Sequence, residues 1–141
     1  MIWRRQAAVL LALVGLLVAT YLWLYKIGVV GELQCGTGSC ETVQASRYAE
    51  LLGVPVALYG VAGYGVLFAV GLAALDPRRA TDPRLTRLLA ALATTGFLFT
   101  VYLTAVELFV LHAICRWCVA SAVIMTAIWL VSLSLLGRTA R

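Results

Sequence analysis

The chain has 141 residues, of which 63% are hydrophobic and 12% charged, and its mean hydropathy is +0.99. A water-soluble domain carries roughly 25% charge, which excludes a soluble enzyme, a nucleic-acid binder and a disordered tail. The formal charge of +5 does not reverse this, because the 11 Lys and Arg residues are scattered between apolar runs and form no binding stripe. The composition is that of an integral membrane protein.

Four apolar stretches, at about 6–27, 54–75, 87–112 and 114–136, are long enough to cross a bilayer, which takes about 20 helical residues. Lipid offers no partner for backbone N–H and C=O, so each stretch must be a helix. The first follows Trp3-Arg4-Arg5, as a secretory signal would. Its apolar core is too long for one and no small-residue cleavage site follows, so it reads as a retained span. Tyr21, Trp23 and Tyr25 close it with an aromatic belt. In the loop 28–53, Val43, Tyr48, Leu51 and Leu52 fall at helical spacing opposite Glu41, Gln44, Arg47 and Glu50. The spacing predicts a short amphipathic helix over 41–52, stopped by Gly53 before Pro55. On the second span, Gly60, Gly63 and Gly65 are expected to allow close helix packing. The middle loop, Asp76 to Arg84, reads as a solvated turn with two proline stops, Pro77 and Pro83. A very tight connection around 112–114 leads into the last span.

Basic residues set the orientation. Arg4, Arg5, Arg78, Arg79, Arg84, Arg87, Arg138 and Arg141 lie at the two termini and the middle loop, against Lys26, Arg47 and Arg116 on the other side. Positive-inside logic puts both termini and the middle loop in the cytoplasm. The expectation is an all-α integral membrane protein, one domain over 1–141. It is a four-transmembrane-helix bundle with a cysteine-containing outer loop and a short amphipathic capping helix.

On this topology all four cysteines face outward, where disulfides persist. Cys35 and Cys40 flank Gly36-Thr37-Gly38-Ser39, and Cys115-Arg116-Trp117-Cys118 is a C-x-x-C where the fourth span begins. A helix N-terminus presents unpaired N–H groups and the positive end of its dipole, and Arg116 adds a cation. Both favour thiolate, the attacking species, while the apolar surroundings oppose it. The small residues between Cys35 and Cys40 let that loop close a disulfide and swing a sulfur toward a second one. One fixed and one mobile pair is what a thiol–disulfide relay requires. Two stabilising disulfides are the competing reading. The outward location argues against a four-cysteine zinc site, so no metal is expected.

These residues resemble a known family. Cys35 and Cys40 are followed by Ser46, then by Gly53-Val54-Pro55-Val56-Ala57-Leu58-Tyr59-Gly60, then by Glu107-Leu108-Phe109-Val110-Leu111-His112-Ala113-Ile114-Cys115-Arg116-Trp117-Cys118 and on to Ala122. The pattern is similar to the vitamin K epoxide reductase family, specifically its bacterial members, over nearly the whole chain. The resemblance implies a bundle around a quinone (menaquinone or ubiquinone) in the bacterial inner membrane. It also implies a thioredoxin-like (DsbA-type) partner that the protein re-oxidises. Cys35 would be attacked by the partner's thiolate, Cys40 would exchange with Cys115, and Cys118 would sit beside the quinone ring. Ser46 matches the family's loop Ser/Thr, which supports this chemistry. Some relatives carry the thioredoxin-like domain fused after the bundle; this chain ends at Arg141, so a separate partner is expected.

Vertebrate relatives contact the quinone carbonyls through an Asn on the second span and a Tyr on the fourth. By motif offset those positions hold Val56 and Ala122, which donate no hydrogen bond. This favours a simple quinone acceptor over an epoxide, with Tyr59 as a replacement pocket residue. Glu107 is an ionisable residue within a span and hence a functional candidate. A structural ion pair with Arg47 or Arg116, or a snorkelled side chain, is its expected role, and proton handling is the alternative. His112 is expected to be an interfacial helix-end side chain rather than a proton relay. Two other functions compete with the quinone relay. A four-span disulfide-generating enzyme of the DsbB type has the two cysteine pairs in the reverse order. A small transporter or structural membrane subunit would use the disulfides for stability alone.

Overall fold

The structure, a computed structural model, describes residues 2–28, 50–51, 53–79, 82–112 and 116–139. The elements in chain order are α1 (Ile2–Lys26), β1 (Glu50–Leu51), β2 (Val54–Pro55), α2 (Val56–Leu75), α3 (Pro83–Ala105), a π-helical segment Val106–Leu111 that continues α3, and α4 (Arg116–Thr139). Among the described residues four helices are long and apolar enough to cross a membrane, at Trp3–Lys26, Val56–Leu75, Pro83–Val110 and Arg116–Gly137. The four-helix membrane bundle expected from the sequence is therefore the fold. Its lipid-facing belt is strongly apolar: Leu10, Leu17, Leu98, Phe109 and Val123 are all exposed, an arrangement that only a hydrocarbon solvent favours.

Two local readings need correction. Pro83 does not stop a helix but starts one: it occupies the first turn of α3, and the Asp82 carboxylate caps that turn by accepting from the Arg84 N–H at 2.9 Å. Proline is suited to this position because its missing N–H would have no helical partner there. Glu50 and Leu51, the end of the predicted amphipathic helix, are extended instead. They pair antiparallel with Val54 and Pro55, in register Glu50↔Pro55 and Leu51↔Val54. Gly53, at φ +79°, makes the reversal, a conformation that costs glycine nothing. Residues 41–49 of that predicted helix lie outside the described residues.

The core is concentrated at one end of the bundle. The buried residues of α2 are Tyr64, Leu67, Gly71 and Ala74, from its middle to its end. Those of α3 are Thr86, Leu89, Ala90 and Ala93, all in its first half, and α4 adds Met125, Ile128, Ser132 and Leu135. These segments meet α1 near its start. Arg4 donates to Ser134 Oγ at 2.6 Å and Arg5 to the Ala74 carbonyl at 3.3 Å, tying three helices together at that end.

Small residues bring α1 and α2 close. Ala8, Ala12, Gly15 and Ala19 form one stripe on α1, the small-xxx-small device by which membrane helices maximise contact when no hydrophobic effect drives them together. A Cβ added at Gly71 would meet Val9 Cγ2 at 2.8 Å, and one at Gly60 would meet Ala19 Cβ at 3.2 Å. Gly60 thus has the packing role expected of it, whereas nothing lies within 4 Å of a Cβ at Gly63 or Gly65. On the opposite side α3 and α4 are joined by a ring stack. Phe97 and Trp129 lie 4.1 Å apart and nearly parallel, and the Trp129 indole N–H donates to Thr94 Oγ1 at 3.0 Å.

Candidate functional site

At the other end, where α1 and α3 finish and α2 and α4 begin, the helices spread around a cavity. It holds about 1000 Å³ of empty space, counting its open mouth, and all four helices contribute to its walls. Its floor is Tyr64 and Met125. Tyr64 is 2% exposed; its hydroxyl donates to the Ser121 carbonyl at 2.9 Å and lies 2.8 Å from Ser121 Oγ. The ring is accommodated because Gly15, opposite on α1, has no side chain: a Cβ there would overlap three of the ring carbons.

Cys118 is half-buried in the first turn of α4 and lines this cavity. It is held there by an apolar cluster at the end of α1, Val18 and Leu22, against which Tyr21, Tyr25, Ala57 and Trp117 also pack. The Tyr21 and Trp117 rings meet at 5.0 Å, so part of the aromatic belt doubles as a clamp on the start of α4. Val56 and Tyr59, at the start of α2, and Ala122, one turn beyond Cys118, line the same cavity. The four residues singled out around a quinone ring are thus neighbours of one space. Cys35, Cys40, Ser46 and Cys115 lie outside the described residues.

The walls are mainly apolar, with a few polar groups set into them: Tyr59, Tyr64, Thr100, Thr104, Ser121 and Glu107. Ligand sites generally combine a large apolar lining with a small number of placed polar atoms. The sequence reading of Val56 and Ala122 stands as to those two side chains, but it missed the polar groups on the other walls. Tyr64, at mid-span, and Ser121, in the second turn of α4, could have been suspected as polar residues within spans. Thr100 and Thr104 share a helix face with Glu107, a one-turn spacing that was available to inspection.

Glu107 is 5% exposed and lines the cavity. It is buried, not carried out to the interface as a snorkelled side chain would be. It sits in the π-helical segment, whose last carbonyl bond runs from the His112 N–H to the Glu107 C=O. π-helical turns are rare and occur often at functional sites. His112 ends that segment in the left-handed conformation at φ 51° and is exposed. It is not among the residues lining the cavity.

The cavity beside the helix-start cysteine, Cys118, is mainly apolar, and a match to a known family covers most of the chain. The family model for the vitamin K epoxide reductase family matches residues 6–133, and the protein belongs to that family of membrane thiol oxidoreductases linked to quinones.

Proposed function

We propose that this protein is a thiol:quinone oxidoreductase that re-oxidises a separate thioredoxin-like, DsbA-type partner on the extracytoplasmic side of a bacterial inner membrane. The observation that carries this reading is the position of Cys118, in the wall of an apolar cavity shared with Val56, Tyr59 and Ala122. The excess of basic residues at both termini and the middle loop supports cytoplasmic termini. The end holding Cys118 then faces outward.

The relay runs inward from the loop. The Cys35–Cys40 disulfide accepts two electrons from the partner's dithiol, which becomes a disulfide. Cys40 then attacks the Cys115–Cys118 disulfide at Cys115, and the loop pair is re-oxidised as Cys115 and Cys118 become thiols. Ser46 assists the loop chemistry. A bound menaquinone or ubiquinone supplies the two-electron, two-proton sink that returns Cys115 and Cys118 to the disulfide. Cys118 would lie beside the ring, and Tyr59 and the apolar side chains of Val56 and Ala122 would hold it. Because Val56 and Ala122 donate no hydrogen bond, these two positions suit a quinone better than an epoxide, whose oxygen must be protonated and expelled.

Thiol alkylation followed by gel shift tests the proposal. In protein reduced with a dithiol, quinone addition should protect all four cysteines from alkylation. If quinone leaves the thiols unchanged, the relay is wrong and the cysteines serve stability alone.

A further inference from the structure

We propose that Glu107 is the proton donor of quinone reduction. The inference rests on the thiol:quinone reading above and adds to it the acid that the acceptor's chemistry needs. Reduction of a quinone consumes two protons as well as two electrons. A quinone oxygen turned away from the open mouth, toward the apolar walls, would have to take its proton from a group already inside.

Three observations point to Glu107. It is 5% exposed and lies within a membrane-crossing helix, where an ionisable side chain is expensive and often functional. It lines the same cavity as Cys118, on the α3 face that carries Phe99, Thr100, Leu103 and Thr104 toward the same space. It also lies in the π-helical segment. Among the described residues the other titratable groups on the walls are Tyr59 and Tyr64 from α2 and Cys118 from α4, while Ala19 and Leu22 of α1 carry none. Tyr64 bonds to Ser121, and Glu107 is the one carboxyl in this lining among the described residues.

The protons balance as follows. Cys115 and Cys118 lose two electrons and two protons as their disulfide forms. Glu107 gives its carboxyl proton to one quinone oxygen and recovers a proton from the Cys118 thiol. The Cys115 proton leaves to solvent at the mouth, and the second quinone oxygen takes one from there.

Glu107→Gln should lower kcat for quinone reduction by about 10²–10⁴, the usual contribution of a placed acid. KM should change little, and Glu107→Asp should retain an intermediate rate with a displaced pH–rate profile. Two readouts need no turnover. Quenching of tryptophan fluorescence by quinone in the fully oxidised protein should give the same affinity for wild type and Glu107→Gln. Infrared spectra of the wild type should contain a carboxylic-acid band that shifts in D₂O and is missing from the variant. A kcat within about threefold of wild type, a parallel loss of affinity, or no such band in the wild type would overturn the proposal. If Glu107→Gln does not fold, an unaltered pH–rate profile in Glu107→Asp would do the same. A wild-type protein that reduces no quinone would instead overturn the underlying reading.

Discussion

The floor of the cavity makes a sharp prediction at Gly15. Tyr64 is almost fully buried, and its hydroxyl is fixed by Ser121 on a different helix. The ring therefore cannot retreat when Gly15→Ala places a methyl group on it. Overpacking in a well-filled core costs about 1–3 kcal/mol, and this site belongs at the upper end because the ring is held at both its face and its tip. Displacing the hydroxyl from Ser121 adds about 1 kcal/mol. The better helix propensity of alanine returns about 1 kcal/mol. The net expectation is a loss of about 2–3 kcal/mol, or roughly 30- to 150-fold in the folding equilibrium. Gly65→Ala is the control, since nothing lies within 4 Å of its added Cβ, and it should leave stability unchanged or raise it by up to about 1 kcal/mol. Unfolding of the detergent-solubilised protein by SDS titration measures both. Combining Gly15→Ala with Tyr64→Leu should recover much of the loss, because the two changes share one contact and so cannot be additive. A Gly15→Ala protein as stable as wild type, or a double variant whose losses simply add, would refute the placement of the ring.

Cys118→Ser should abolish quinone reduction while the Cys35–Cys40 disulfide still exchanges with a reduced partner; normal quinone turnover would reverse the proposed electron order. Cys35→Ser should accumulate a Cys40–Cys115 mixed disulfide, since loss of the resolving thiol traps the intermediate. Non-reducing peptide mapping that found Cys40 always free would disconnect the two pairs. Vitamin K epoxide should be reduced at least tenfold more slowly than ubiquinone- or menaquinone-type acceptors, because expelling the epoxide oxygen needs a donor at position 56 or 122 in addition to Glu107, and one placed acid typically contributes about 10²–10⁴. Equal turnover in one preparation would show that Val56 and Ala122 do not set the choice of acceptor.

The spans were legible because a bilayer imposes one secondary structure on any long apolar run, and the boundaries followed to within a few residues. Pro83 was misread because proline ends one helix and begins another with equal ease; the preceding Asp82, a strong N-cap, carried the distinction. Glu50 and Leu51 continue a helical pattern in the sequence, yet Gly53 at positive φ turns the chain back on itself and pairs them as strand. Local geometry at one glycine outweighed periodicity. Cys118, Tyr59, Val56 and Ala122 could be grouped through motif spacing and family resemblance. The floor of the cavity could not, because Gly15, Tyr64 and Ser121 come from three helices, and no period along the chain links them. Glu107 was visible as a charge within a span, but only the surrounding helices show that it points into the cavity rather than toward the interface.

The uneven distribution of the core explains how so short a chain keeps an open cavity. Four parallel apolar rods would ordinarily close on one another along their whole length, because every contact adds dispersion energy. Here the buried core of α2, α3 and α4 is concentrated from the middle of the bundle to the end where the termini lie. There the alanine and glycine stripe of α1 admits α2, and the Phe97–Trp129 stack joins α3 to α4. Toward the other end the larger side chains Tyr64 and Met125 form a floor. Over their whole length α2 and α3 meet only sparsely compared with the α1–α2 and α3–α4 pairs. Cohesion and chemistry thus occupy different halves of the same four helices. The Tyr64–Ser121 bond joins the two halves at the floor, so a change there alters both stability and the space beside Cys118. Substitutions at Ala8, Gly71 or Ile128 are read first as stability, and those at Val56, Tyr59 or Glu107 first as turnover.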